Sequence, residues 1–302
     1  MRHIVTSEWV AEGYNFPDDV KVTFTDDLAE ISNDALASAH FVVLPYLGSS
    51  IDDDEAISRM KNVEVIQTIT AGFNHLAPLI PTGVTLCNVS SVHDVATSEM
   101  AVLLTLAAMR ELPKIIHAQD KKDWLQFFSQ SLWNKNVLLV GFGDVGKATY
   151  RRLLPFDCQI IPVASRARDE VRGIEELNEL LPAADVVILT VPLNDSTFQL
   201  MNKVRLGLMK DGALLVNVAR GQVVDQDALI HELTAGRLRA ALDVTETEPL
   251  PVESPLWELP NVLLAAHLGG EADSFWPRAR VRIHRQWDLW LAGEPLECVV
   301  VS

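Results

Sequence analysis

The feature that most constrains this chain is Val137-Leu138-Leu139-Val140 running into Gly141-Phe142-Gly143-Asp144-Val145-Gly146. A short apolar run predicts a buried strand, and the residues after it predict a helix up to Leu154, just before Pro155. The three glycines stand at G-x-G-x-x-G spacing. The first permits a tight turn, the second lets backbone approach a pyrophosphate, and the third lets helix and strand pack closely. The helix start offers unpaired N–H groups and a positive dipole end to that anion. The spacing alone is a common turn; with a strand before it and a helix after it, it points to a dinucleotide and so to redox chemistry.

The 302 residues suffice for two domains at the usual ~100–200 residues each. The formal net charge is −16, from 25 Lys and Arg against 41 Asp and Glu, which argues against a nucleic-acid or membrane-surface partner, since both need a basic stripe. Three cysteines, Cys87, Cys158 and Cys298, form no C-x-x-C pair and fit a reduced, cytoplasmic setting. The start of the chain reads as a strand rather than a signal peptide, and Ala101 to Met109 is too short to span a bilayer. No metal-ligand spacing is present, and no metal is expected.

The first ~90 residues alternate apolar runs with helix-compatible segments. Strands are expected at His3–Thr6, Val20–Phe24, Phe41–Leu44, Val63–Gln67 and Thr85–Asn88. Ser98–Arg110 is expected to be a buried helix, and a second helix is expected after Pro113 up to about Phe128. Six strands then recur at Val137–Val140, Gln159–Val163, Val186–Thr190, Ala213–Asn217, Arg239–Asp243 and Val262–Ala266. Helices are expected between them at Gly173–Leu181, Arg205–Met209 and Gln226–Ala235, as a doubly wound parallel sheet requires. After Gly270 the pattern changes to a helix, Phe275–Leu291, and a last strand, Cys298–Val301, that can return to the first domain. The expected division is 1–92 plus 273–302, and 93–272.

Ligands of open parallel sheets bind beyond the carboxyl ends of the strands. Three successive strand ends deliver Arg220, Glu248 and His267 to that edge. Taken singly, the arginine is as readily a surface ion pair, the glutamate a solvated loop residue and the histidine a structural cap. Together, beside a dinucleotide loop, they are the parts for reducing a 2-oxo acid. Arg220 can fork onto a carboxylate, His267 can carry a proton near neutral pH, and a carboxylate beside the ring orients it and favours the imidazolium. His3, His40, His117, His231 and His284 have no such context, and His75 and His93 stay undecided.

The glycine loop, Asn217-Val218-Ala219-Arg220-Gly221, Leu242-Asp243-Val244-Thr245-Glu246-Thr247-Glu248-Pro249-Leu250-Pro251 and His267-Leu268-Gly269-Gly270 together resemble the D-isomer-specific 2-hydroxyacid dehydrogenase family, in the family's order and over nearly all of the chain. The resemblance implies a two-domain α/β fold: a Rossmann-type doubly wound parallel sheet inserted into a smaller, flavodoxin-like substrate domain, usually in a homodimer. It implies Arg220 as binder of the substrate carboxylate, His267 as acid/base and Glu248 as its partner. Asp243 matches the residue that contacts the nicotinamide end. Thr70-Ala71-Gly72-Phe73 resembles the loop whose N–H groups hold the substrate carboxylate, making Ala71, Gly72 and Phe73 substrate-binding candidates; its other reading is a plain turn. Val191 and Pro192 resemble positions lining the cofactor cleft, where Ala219 and Gly269 are also placed. Trp276, Leu47 and Phe73 either shape the pocket or fill a core.

One stretch departs from the family's commonest pattern. NAD-using members end the second Rossmann strand with an acid, whereas here Pro162-Val163-Ala164-Ser165-Arg166-Ala167-Arg168 has none until Asp169. A carboxylate repels a 2′-phosphate, and Ser and Arg bind one. The expectation is therefore NADP(H) preferred, with NAD(H) also accepted, Ser165 and Arg166 as readers and Arg168 as helper; the other reading is solvated loop charges. Similar Ser-Arg stretches in the family point to glyoxylate or hydroxypyruvate as substrate. The alternatives are a dinucleotide-sensing corepressor on the same fold and a formate- or phosphite-type dehydrogenase.

Overall fold

The apolar runs become strands of two separate sheets in the computed structural model, which describes residues 1–46, 49–73 and 75–302. One unit comprises Met1–His93 with Asp273–Ser302, the other Asp94–Ala272.

In the first unit, β1 (Arg2–Thr6), β2 (Val20–Phe24), β3 (Phe41–Val43), β4 (Val65–Gln67) and β5 (Thr85–Cys87) run parallel. The C-terminal strand Val299–Val301 adds antiparallel to β5, giving the order C-terminal strand, β5, β4, β3, β1, β2. Successive side chains leave a strand on opposite faces. Ile4, Phe41, Val43 and Val65 accordingly meet Phe275, Ala279, Ile283, Trp287 and Trp290 of the helix Phe275–Ala292 on one face. Val5, Val42, Ile66 and Leu86 pack with Leu28, Leu36 and Ile57 on the other. The helix buries a stripe at steps of three and four residues, and Gly293, at φ 71°, ends it in the left-handed conformation that glycine adopts without penalty.

The second unit holds β6 (Asn136–Val140), β7 (Gln159–Ala164), β8 (Arg172–Gly173), β9 (Val186–Leu189), β10 (Leu214–Asn217), β11 (Arg239–Leu242) and β12 (Val262–Leu264). All are parallel, in the order β12-β11-β10-β9-β6-β7-β8. The chain runs outward from β6 to β7, then returns to β9 on the other side of β6. This places the switch point, where such sheets open a crevice, beside the glycine loop. Val137 and Leu139 face a core shared with Ala101, Leu104 and Met109 of the helix Asp94–Met109. Leu138 and Val140 face one shared with Leu206, Leu229 and Leu233.

Three expectations are corrected here. The two-residue β8 is a seventh strand, too short to show a period. The helix after Pro113 covers Leu112–Asp120 and stops well before Phe128. Lys122 turns left-handed at φ 57°, and the Lys122 and Asp123 N–H groups fold back onto the carbonyls of Gln119 and Ala118. The stretch expected as one helix at Gly173–Leu181 is broken into the 3₁₀ turn Ile174–Glu176, the helix Leu177–Leu180 and the 3₁₀ turn Leu181–Ala183, because Pro182 supplies no N–H to continue the helix. Among the described residues, no helix is long and apolar enough to cross a membrane.

Candidate active site

The glycine loop is built by contacts that a side chain would block. Gly141 turns at φ 107°, and its N–H donates to the Val163 carbonyl at the end of β7 (2.9 Å). A Cβ at Gly146 would overlap the Gly141 carbonyl, so the third glycine is what allows helix Asp144–Leu153 to sit on the loop. At Gly143 a Cβ would meet nothing within 4 Å, which leaves the loop open on the side where an anion approaches. Thr190, at the exit of β9, donates its hydroxyl to the Gly141 carbonyl (2.9 Å) and ties the neighbouring strand end to the loop. Val191, half-buried, and Pro192, exposed, follow directly. Phe142 packs its ring edgewise on Tyr150, while Asp144 and Val145 form the first turn of the helix. These features fit a dinucleotide pyrophosphate.

At the ends of β10, β11 and β12 the three chemistry-bearing side chains line one cavity of about 510 Å³, together with Gly221, Gln222, Thr245, Glu246 and Thr247. Buried Asn217 accepts the Ala219 N–H (3.0 Å) and donates to the Arg220 carbonyl (3.0 Å), which shapes the turn presenting Arg220. His267 Nδ1 lies 2.7 Å from Glu248 Oε2, and Glu248 Oε1 accepts the Thr245 N–H (3.0 Å). Nε2 is the ring nitrogen left for other contacts. Asp243 is 2% exposed, and its carboxylate accepts the N–H groups of Leu268 (2.8 Å) and Gly269 (2.9 Å). Burial pushes the Asp243 carboxyl above its ordinary range, against the pull of those two N–H groups.

Ser165, Arg166 and Arg168 are exposed just beyond β7, the strand whose end meets Gly141. In the other unit, the Thr70 hydroxyl donates to the Gly72 carbonyl (2.7 Å) and the Asn88 amide to the Ala71 carbonyl (2.8 Å), ordering the turn that carries Phe73. Trp276 meets Trp9 edge to face, with centroids 4.8 Å apart, and Leu47 lies outside the described residues. His75 is 3.8 Å from Asp53 on the surface, and His93 stacks on Phe275.

Sequence reading passed over the residues that brace the site. Thr190 was read only as the end of a strand. Gln222 donates to the Glu246 carbonyl (3.0 Å), and Gln226 accepts the Glu246 N–H (3.0 Å). Neither glutamine lies in a recognisable motif. The only local signal was a polar side chain at the close of an apolar strand, at Asn217 and Thr190.

A fold with a dinucleotide crevice, and an Arg, a Glu–His pair and a buried Asp at its strand ends, defines a nicotinamide-dependent dehydrogenase of 2-hydroxy acids. The model of the "D-isomer specific 2-hydroxyacid dehydrogenase, NAD binding domain" matches residues 102–269, and the chain belongs to this family. It is 38% identical over 231 residues to a glyoxylate reductase of Thermofilum pendens, spanning 72% of this chain and 68% of that protein. A D-isomer specific 2-hydroxyacid dehydrogenase family protein from Aeromonas salmonicida superposes with a TM-score of 0.89 at 25% identity, over 99% of both chains. A D-isomer specific 2-hydroxyacid dehydrogenase from Xanthobacter autotrophicus, solved in complex with NADPH and MES, superposes with a TM-score of 0.79 at 26% identity, over 99% of this chain and 98% of that one.

Proposed function

We propose that this dehydrogenase reduces a small 2-oxo acid of the glyoxylate or hydroxypyruvate kind to the D-2-hydroxy acid, with NADPH preferred over NADH. The observation that carries the reading is the 2.7 Å contact of His267 Nδ1 with Glu248 in the cavity that Arg220 also lines. Arg220 holds the substrate carboxylate through paired N–H donors. Glu248 fixes the ring through Nδ1, so Nε2 presents the proton to the carbonyl oxygen. Asp243 and Gly269 order the loop beneath the ring. The nicotinamide supplies the hydride that the carbonyl carbon takes up. Gly141, Phe142, Gly143, Asp144, Val145 and Gly146 would hold its pyrophosphate, Val191, Pro192 and Ala219 would line its cleft, and Ala71, Gly72 and Phe73 would contribute to the substrate carboxylate.

The preference for NADPH rests on Ser165 and Arg166 standing free of any acid at the end of β7, with Arg168 close by in sequence. The NADPH bound by the Xanthobacter relative supports it. The glyoxylate reductase of Thermofilum supports a small substrate. In this reading residues 1–92 and 273–302 form the substrate domain and 93–272 the cofactor domain. The protein works as a homodimer in the cytoplasm, where its three free cysteines stay reduced; recovery from an exported fraction contradicts that location.

The test is steady-state turnover on a panel of 2-oxo acids with each cofactor, for the wild type and for His267→Asn. Small 2-oxo acids with NADPH give the highest kcat/KM. His267→Asn lowers kcat by ~10²–10⁴, the usual worth of a general acid. Near-normal turnover by that variant removes His267 from the chemistry, and a strong NADH preference removes the Ser165 and Arg166 assignment.

A further inference from the structure

We infer that Gln222 and Gln226 are positioning residues for the reaction: together they clamp the Glu246 peptide and so hold the Arg220 loop and the Glu248 loop at their working spacing. The inference rests on the roles proposed above for Arg220, Glu248 and His267.

Both backbone polar groups of Glu246 are taken by glutamine side chains. Its N–H donates to Gln226 Oε1 (3.0 Å), and its carbonyl accepts from Gln222 Nε2 (3.0 Å). The partners leave no ambiguity about which end of each amide faces the peptide, since an N–H needs an acceptor and a carbonyl needs a donor. Gln226 opens the helix Gln226–Thr234, whose start is fixed by Asp225 accepting the Ala228 N–H (3.0 Å). Gln222 lies two residues beyond Arg220, with its own carbonyl held by the Gln199 N–H (2.8 Å). One glutamine therefore ties Glu246 to a rigid helix, and the other ties it to the arginine loop.

A second observation points the same way. A Cβ at Gly221 would overlap the Thr245 carbonyl, so the two loops touch backbone to backbone beside the clamp. Thr245 is also the residue whose N–H holds Glu248 Oε1 (3.0 Å), while its hydroxyl donates to the Thr247 carbonyl (2.8 Å). The path from either glutamine to the His267 ring is therefore short: Glu246, Thr245, Glu248, Nδ1. Released from the clamp, the loop can relax and carry Glu248 away from the imidazole. A displacement near 1 Å in such a constellation costs on the order of 10²-fold in rate.

The two amides work in opposite senses, Gln226 as acceptor and Gln222 as donor, and this makes the test directional. The full-length variants Gln226→Met, Gln226→Glu, Gln222→Met and Gln222→Glu are compared with His267→Asn. Each methionine variant is expected to lose about 10–100-fold in kcat/KM for the 2-oxo acid. The Kd for NADPH, read by nucleotide fluorescence, and the thermal midpoint stay close to wild type, because the glycine loop does not pass through the clamp. Glutamate keeps the acceptor at 226 and is expected to recover activity to within about fivefold of wild type. At 222 it sets a carboxylate against a carbonyl, and activity falls below that of Gln222→Met. The added charge is the same at both places, so it cannot account for opposite outcomes. Equal activity of Gln226→Glu and Gln226→Met overturns the inference, as does wild-type turnover by both methionine variants while His267→Asn is slow. If His267→Asn is itself fast, the catalytic reading fails first and takes the clamp with it.

Discussion

At His267 the backbone turns left-handed, with φ 56°, a conformation that costs a non-glycine residue about 1 kcal/mol or more. The Asp243 carboxylate supports it by accepting the two N–H groups that follow, and the Asp243 carbonyl accepts the His267 N–H (2.7 Å). The ring orientation is a separate matter, decided by Glu248. Residue types and strand-end positions made Arg220, Glu248 and His267 legible in the sequence. The contact between Glu248 and His267 was not, because 19 residues and a strand separate them. Arg166 is the residue on which cofactor choice is most directly tested. Replacing it with Ala removes a charge-assisted hydrogen bond to a 2′-phosphate, worth ~1.5–3 kcal/mol. The kcat/KM with NADPH is expected to fall by roughly 10–100-fold and that with NADH to change little. An unchanged ratio between the cofactors assigns Arg166 to the solvated surface.

Among the elements, the glycine turn between β6 and its helix is the most fully written in local sequence, because each glycine answers a steric demand within six residues. The demands differ, and so do the expected consequences. Gly146→Ala drives a methyl into the Gly141 carbonyl and should lower the thermal midpoint, by the several degrees that follow from ~1–3 kcal/mol of overpacking. Gly143→Ala meets no protein atom within 4 Å, so the midpoint should hold while the Kd for NADPH rises. Calorimetry and nucleotide titration on the two variants separate these effects, and a midpoint loss at Gly143 equal to that at Gly146 contradicts the division of labour. The helix after Pro113 shows where local reading fails. Apolar residues continue past Asp120 into Trp124 and Phe128, but the backbone turns at Lys122 and leaves those rings outside. Apolar content alone does not distinguish a helix face from an exposed loop.

For the whole molecule, Trp124 and Phe128, at 90% and 104% exposure, are far more open than large aromatic side chains usually are in a finished assembly. The proposed homodimer gives them a reason, and sedimentation should report a two-chain species at micromolar concentration that Phe128→Asp weakens. A monomer at that concentration ends the proposal. The C-terminal segment shows long-range order of another kind: Phe275, Ile283, Trp287 and Trp290 complete a core begun by Ile4 and Phe41, more than two hundred residues earlier. Hydrophobic period, glycine spacing and the residue at each strand end are local properties, and by themselves they determined the strands, the dinucleotide turn and the side chains that carry chemistry. The order of the strands, the Glu248–His267 contact, the Asp243 brace and the two glutamines on Glu246 were decided only by tertiary structure. Each depends on groups that no short-range pattern relates, brought together because buried polar atoms must find partners wherever the packed chain places them.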